Sequence, residues 1–158
     1  MSDSHDRLLD ALHRLAGTAA EQEGLELVDL TVRGSSRKRI VRVDIDRAGP
    51  RGIDVDDCRR VSVALGRLLD EDELLENRYN LEVSSPGIDR PIQSDDDVRR
   101  NTGRSVVVTT VEPVAGAQRH RGVLLGGDST HWTLKTETEE RLNIPRETIE
   151  TAQQDAGF

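Results

Sequence analysis

The chain has 158 residues, 34% hydrophobic and 33% charged, with a formal net charge of −8, which suits one domain or two small ones and disfavours diffusion onto naked nucleic acid unless a local basic patch or a protein partner supplies the attraction. The single cysteine, Cys58, excludes an intramolecular disulfide, and with four scattered histidines (His5, His13, His120, His131) it forms no zinc-ligand spacing. No stretch reaches the ~18 apolar residues that cross a bilayer and the first residues lack the basic-then-apolar order of a secretory signal, so a soluble cytoplasmic protein with no membrane partner and no cofactor is expected.

Leu8, Leu12, Leu15, Ala16 and Ala19 recur at helical spacing, predicting an amphipathic helix over roughly residues 4–22, with Ser4 as N-cap and Gly24 as stop. Val28, Leu30 and Val32 then alternate with polar residues, as do Val41, Val43 and Ile45, predicting two strands joined by a hairpin loop from Gly34 to Arg39. After a turn at Gly49–Gly52, Asp54 is placed to cap a second helix with Asp57 three residues on, close to a capping box. Its apolar stripe is Cys58, Val61, Leu65, Leu68 and Leu69, and the acidic run Asp70–Glu73 starts a further helical turn. Tyr79, Leu81 and Val83 predict a third strand. Two helical stripes and three half-buried strands are satisfied by two helices on one face of a small sheet.

Two prolines and a glycine in Ser84–Pro91 predict a fixed turn and a junction, dividing the chain into domains 1–90 and 91–158. A short helix is expected at Asp95 to Arg100. Short strands follow at Val106–Val111, Arg121–Leu125, Trp132–Thr136, Leu142–Ile144 and Thr148–Thr151, which suggests a small closed barrel. The expected class is α+β.

The stretch Leu81-Glu-Val-Ser-Ser-Pro-Gly-Ile-Asp-Arg-Pro91 resembles the signature of the RimP family of ribosome maturation factors. Its context agrees: Gly24-Leu-Glu-Leu-Val28 at the first strand, Arg42-Val-Asp-Ile-Asp46 at the second, Ile53-Asp-Val-Asp-Asp-Cys58 opening the second helix, and Asp70-Glu-Asp-Glu73 before the third strand. The resemblance implies an N-terminal α/β domain followed by an Sm-like, SH3-like barrel. It also implies binding to the immature small ribosomal subunit and to a decoding-region protein, S twelve, with no catalysis. The tail from Gln153 to Phe158 departs from the family pattern.

Five features are weighed for function. Ser84, Ser85, Pro86, Gly87, Asp89, Arg90 and Pro91 read either as a rigid joint, with a type II turn at Pro86-Gly87 and Asp89 paired to Arg90 or accepting backbone N–H groups, or as a surface that touches the ribosome. Arg33, Arg37, Lys38, Arg39 and Arg42 form the densest basic cluster. They read either as a solvated hairpin or as a contact to ribosomal RNA, since arginine's planar fork matches phosphate. Gly49-Pro-Arg-Gly52 has the letters of the phosphate-clamping G-x-x-G loop, but it joins a strand to a helix, so turn chemistry is the better account. Asp44 with Asp46, and Asp95 to Asp97, suit a divalent cation in type. A solvated strand face and anions at a helix start explain them more simply, and an acidic surface also suits a basic ribosomal protein. Tyr79, Trp132 and Phe158 are too few for a base-stacking platform, and the first two sit in strand patterns where they fill cores. No P-loop, nucleophile elbow or catalytic histidine pattern is present. Cys58 has Arg59 and Arg60 beside it but falls on the apolar stripe, where an inert thiol is expected.

Overall fold

The computed structural model describes residues 2–35, 37–72 and 79–155, the side chains of the first four residues excepted. It divides into two compact units: residues 1–47 with 53–86, and residues 48–52 with 87–158.

In the first unit, helix α1 (Ser2–Gln22) leads into strands β1 (Glu26–Ser35) and β2 (Lys38–Asp46), then helix α2 (Val55–Asp72) and strand β3 (Tyr79–Ser84). Helix α1 begins upstream of Ser4, so Ser4 lies within the helix and not at its cap. It ends as expected at Gly24, which takes φ +73°. The Leu25 N–H donates to Ala20 C=O at 2.9 Å and the Gly24 N–H to Glu21 C=O at 3.0 Å. This is a Schellman cap, with the following residue, Leu25, buried against the helix. Of the acidic run, Asp70, Glu71 and Asp72 are the last residues of α2, and Glu73 lies outside the described residues.

The sheet order is β1-β2-β3, with β1 and β2 antiparallel and β2 and β3 parallel. The parallel pair requires the crossover that α2 supplies. Val41, Val43 and Ile45 are fully buried under both helices, with Leu12, Ala16, Ala19, Val61, Leu65 and Leu69 above them. Strict alternation places Val28 in this core with Leu30 and Val32, but the register shifts between Leu27 and Asp29. The bulge turns Leu27, opposite Ile45, into the core instead, and Val28 is left outside the cluster. The hairpin is tight: Ser35 pairs with Lys38, and Gly34 takes φ +87° opposite Arg39. A Cβ at position 34 would lie 2.2 Å from the Lys38 carbonyl oxygen, so only glycine fits.

In the second unit, helix α3 (Asp95–Asn101) precedes strands β4 (Ser105–Val114), β5 (Ala117–Gly127), β6 (His131–Lys135) and β7 (Arg141–Pro145), a short 3-10 helix (Arg146–Thr148), and β8 (Ile149–Gln154). These strands form one five-stranded antiparallel sheet in the order β7-β6-β5-β4-β8. It is barrel-like but not closed: β7 and β8 are its two edges. The five expected strands are present, but the expected closure is absent, for two reasons. β7 ends at Pro145, which has no N–H to give a ladder. β8 is met by a non-strand segment, with the Ile92 N–H donating to Ala152 C=O at 2.8 Å. The β4–β5 hairpin is also longer than the apolar runs indicate, because Pro113 falls in a register irregularity between Thr109 and Val114 where no ladder bond is needed. The tail residues Gln153 and Gln154 belong to β8, while residues 156–158, including Phe158, lie outside the described residues.

The turn joining β4 to β5 is Ala115-Gly116, both at positive φ (51° and 86°). That is the type I′ geometry whose twist matches a two-residue hairpin. Alanine in the left-handed region costs about 1–2 kcal/mol, and asparagine tolerates it. Ala115→Asn is therefore expected to stabilise the second unit by about 1 kcal/mol; a thermal melt showing no rise in Tm would contradict this.

Candidate functional site

The basic hairpin is real, and its ladder sorts its charges. Val41, Val43 and Ile45 face the helices, so the alternate positions of β2, Lys38, Ile40, Arg42 and Asp44, face away. Arg33 opposes Ile40 and Thr31 opposes Arg42 on that open face. Arg33, Lys38 and Arg42 thus share the helix-free side of the sheet. Arg39 takes the opposite phase, opposite Gly34 on one side and Tyr79 on the other. Arg37 sits in the exposed turn, and its neighbour Ser36 lies outside the described residues. Arg42 donates from Nε to Asp44 Oδ1 at 3.2 Å. Asp44 is therefore paired along its own strand, while the Asp46 carboxylate accepts the Arg47 N–H at 2.8 Å. The expected solvated strand face is not what forms: Asp46 is buried and Asp44 half-buried, and these local bonds satisfy them instead.

Helix α2 starts on a complete capping box. The Asp57 N–H donates to Asp54 Oδ1 at 2.8 Å, and the Asp54 N–H donates to Asp57 Oδ2 at 3.0 Å. Arg47 adds a two-pronged clamp on Asp57, at 3.1 and 3.2 Å. Arg60 reaches Asp57 and Asp56 from the next turn and Glu23 at 3.2 Å. The Arg47 bonds, then the Asp54 N–H, hold the Asp57 carboxyl far below the ordinary range. Spacing showed the box but not the arginines, because Arg47 lies ten residues upstream and arrives only with the fold. Cys58, next in the helix, has its thiol pushed up by burial and then by Asp57 and Asp54. This fits an unreactive side chain.

The Ser84–Pro91 stretch differs from its expected turn. Gly87 is not at positive φ, so no type II turn forms at Pro86-Gly87. The turn lies two residues on: the Arg90 N–H donates to Gly87 C=O at 2.9 Å, leaving Ile88 and Asp89 exposed at its tip. Arg90 pairs with Asp97, at 3.7 Å, and not with Asp89. Asp97 is the third helical residue of α3 and closes a second capping box: its Oδ2 accepts the Gln93 and Ser94 N–H groups at 3.1 Å each, and Ser94 Oγ accepts the Asp97 N–H at 3.0 Å. Burial pushes this carboxyl up, but the backbone donors of Ser94 and Gln93 and the Arg100 charge outweigh it, leaving it below the usual value. Asp95 is engaged by Arg146 at 2.8 Å and Asp96 by Arg99 at 3.4 Å. The three aspartates are therefore committed to the helix start and to arginines.

In the loop with the G-x-x-G letters, the Gly49 N–H donates to Arg100 C=O at 3.1 Å and Arg104 Nε donates to Gly49 C=O at 2.7 Å. Its first glycine is committed to Arg100 and Arg104, about fifty residues along the chain, and its N–H is not free for phosphate. A cavity of about 350 Å³ lies beside β8, lined by Pro91, Ile92, Trp132, Arg146 and Ala152. The Arg146 guanidinium there is held by Asp95 and by the Gln93 and Asp128 carbonyls. Trp132 is a core residue, as the strand pattern indicated, and Tyr79 packs against the first core. No helix among the described residues is long and apolar enough to cross a membrane.

These elements define a class: a two-unit α+β protein, with a helix-backed three-stranded sheet carrying a basic hairpin, followed by a barrel-like antiparallel sheet. Residues 15–89 match the family model of the RimP N-terminal domain, a match that supports the RimP family of ribosome maturation factors.

Proposed function

We propose that this protein binds the immature small ribosomal subunit in the cytoplasm and assists its late assembly by binding alone. The observation that carries the reading is the match of residues 15–89 to the RimP N-terminal domain. No chemical step is needed, because a factor that prefers one conformer of the subunit shifts the assembly equilibrium by its differential affinity. Residues 1–90 and 91–158 act in this reading as two domains, the second an Sm-like module with no cofactor. Its partner is the basic small-subunit protein S twelve. The net charge of −8 supports that choice, since complementary fields speed encounter with a basic protein.

The hairpin residues Arg33, Arg37, Lys38, Arg39 and Arg42 supply a contact to ribosomal RNA. The stretch Ser84, Ser85, Pro86, Gly87, Asp89, Arg90 and Pro91 acts chiefly as fixed backbone, with the exposed Ile88–Asp89 tip available to the subunit. Sedimentation of lysate tests the reading: the protein is expected with free small subunits and absent from translating ribosomes. Equal affinity for bare RNA and immature subunits would instead indicate a general RNA-binding module. Replacing Arg37, Lys38 and Arg39 together with alanine is expected to weaken binding to immature subunits at moderate salt. The slope of log affinity against log salt should fall by about one for each phosphate that the variant no longer neutralises. Identical binding across a salt series would remove the hairpin from the interface.

A further inference from the structure

The second sheet carries a basic face that is not visible in the order of its residues. Val106, Val108, Leu124, Leu134, Ile144 and Ala152 fill its inner side. Directly opposed residues of antiparallel strands project to the same side, so the register fixes the outer side. Val107 opposes Arg121 and Gln153, and Thr109 opposes Arg119. Val123 opposes Lys135, which opposes Arg141. Arg119, Arg121, Lys135 and Arg141 therefore form a diagonal band across β5, β6 and β7. Among the described residues, no Asp or Glu occupies any register-paired position of the five strands. The two acids within the strands, Glu112 and Glu150, fall at register irregularities. The three arginines are exposed. Lys135 meets Glu139 from the following loop at 3.3 Å, an exposed pair whose charges exchange readily. Beneath the band, Val107 is only 9% exposed although it lies outside the inner cluster, as expected if the stems of its cross-strand neighbours cover it.

We propose that this face docks the phosphodiester backbone of small-subunit ribosomal RNA. The inference rests on the assembly-factor reading and adds to it a second contact, on the second unit, independent of the hairpin. Three of the four cations are arginines, whose forks bind phosphate oxygens in pairs. A line of charge crossing three strands fits a continuous polyanion better than a compact acidic patch. The band includes no aromatic side chain, so bases are not stacked, and the contact positions without reading sequence. A chain of net charge −8 repels RNA at long range, so the face acts at short range, once another contact has brought the protein to the subunit.

The test uses the full chain and protein-free small-subunit ribosomal RNA, with affinity measured across a salt series. Arg119→Ala with Arg121→Ala is expected to lower affinity several-fold at low salt and to reduce the slope of log affinity against log salt by about 2. Arg119→Lys with Arg121→Lys should keep most of the slope, because charge sets it. Lys135→Gln with Arg141→Gln probes the same face from two other strands and should act alike, should the arginine pair disturb folding. Unchanged affinity and slope in both alanine and glutamine variants overturn the proposal. So does a polyglutamate peptide that binds the wild type as tightly as the RNA and is lost on the same substitutions, which would assign the face to an acidic protein. Co-sedimentation with immature subunits is read separately: its absence in the wild type defeats the assembly reading, whereas its retention beside unchanged RNA binding by the variants defeats only this one.

Discussion

Replacing Trp132 with alanine is expected to lower the stability of the second unit by about 3–5 kcal/mol, the range for deleting a large buried aromatic. The ring is only 2% exposed and sits among Val106, Leu134 and Ile144. Its surroundings are unable to close over the gap. Against it lies Gly127, where an added Cβ would be 2.6 Å from the indole Cδ1, so the backbone there is shaped to the ring. The Arg146 guanidinium carbon stands over the ring, 5.9 Å from its centroid, its fork held by Asp95 and by two carbonyls. A fitted backbone and a pinned guanidinium leave a cavity, and cavity volume adds to the lost transfer energy. Among the described residues the indole N–H has no hydrogen-bond partner, so Trp132→Phe loses no such bond and is expected to cost far less. Urea unfolding followed by circular dichroism checks both; a Trp132→Ala loss near that of Trp132→Phe would mean that the site collapses.

Asp57→Asn is expected to be the most damaging polar substitution in the first unit. The Asp57 side chain is 2% exposed and binds Arg47, Arg60 and the Asp54 N–H together. Asparagine offers one acceptor oxygen where the carboxylate offers two, and it turns an amide N–H₂ towards guanidinium donors. The half-buried guanidinium groups of Arg47 and Arg60 then lose a buried counter-charge, which costs more than the pair itself contributes. Asp56, with its side chain 57% exposed, is the control, and Asp56→Asn should shift Tm much less. The pH dependence follows from the depressed carboxyl. A group whose folded pKa lies below its unfolded value of about 3.9 stabilises fully above that value and loses the contribution as pH falls through the folded pKa. The Tm difference between wild type and Asp57→Asn should therefore be large at neutral pH and shrink in strong acid. A difference that stays constant down to the most acidic pH at which the wild type still folds would mean the variant fails for a reason other than charge.

Much of the first unit was legible because its signals are local. The 3.6-residue stripe of α1, the capping box of α2 and the two-residue alternation of Val41, Val43 and Ile45 each arise within a dozen residues, and each is present. Alternation misplaces Val28 because a bulge inserts one residue without changing composition. Local chemistry misplaces the turn at Pro86-Gly87 because either peptide suits a turn; the pairing of Arg90 with Asp97, which no local rule contains, is found at the turn that forms.

The basic hairpin was legible in the same way, five cations within ten residues. What the ladder added is that Arg33, Lys38 and Arg42 share one face while Arg39 takes the other. By itself, the sequence determined the main elements, their order, the stop of α1 at Gly24, the capping box of α2, the family motif and that hairpin, because each is set by neighbours along the chain. Only the tertiary structure decided that β2 and β3 run parallel, that the second sheet stays open at β7 and β8, that Arg47 clamps Asp57, and that Arg119, Arg121, Lys135 and Arg141 stand together. Those four cations are spread over 23 residues of chain, and strand register, fixed by which apolar residues must face inward, is what brings distant charges side by side.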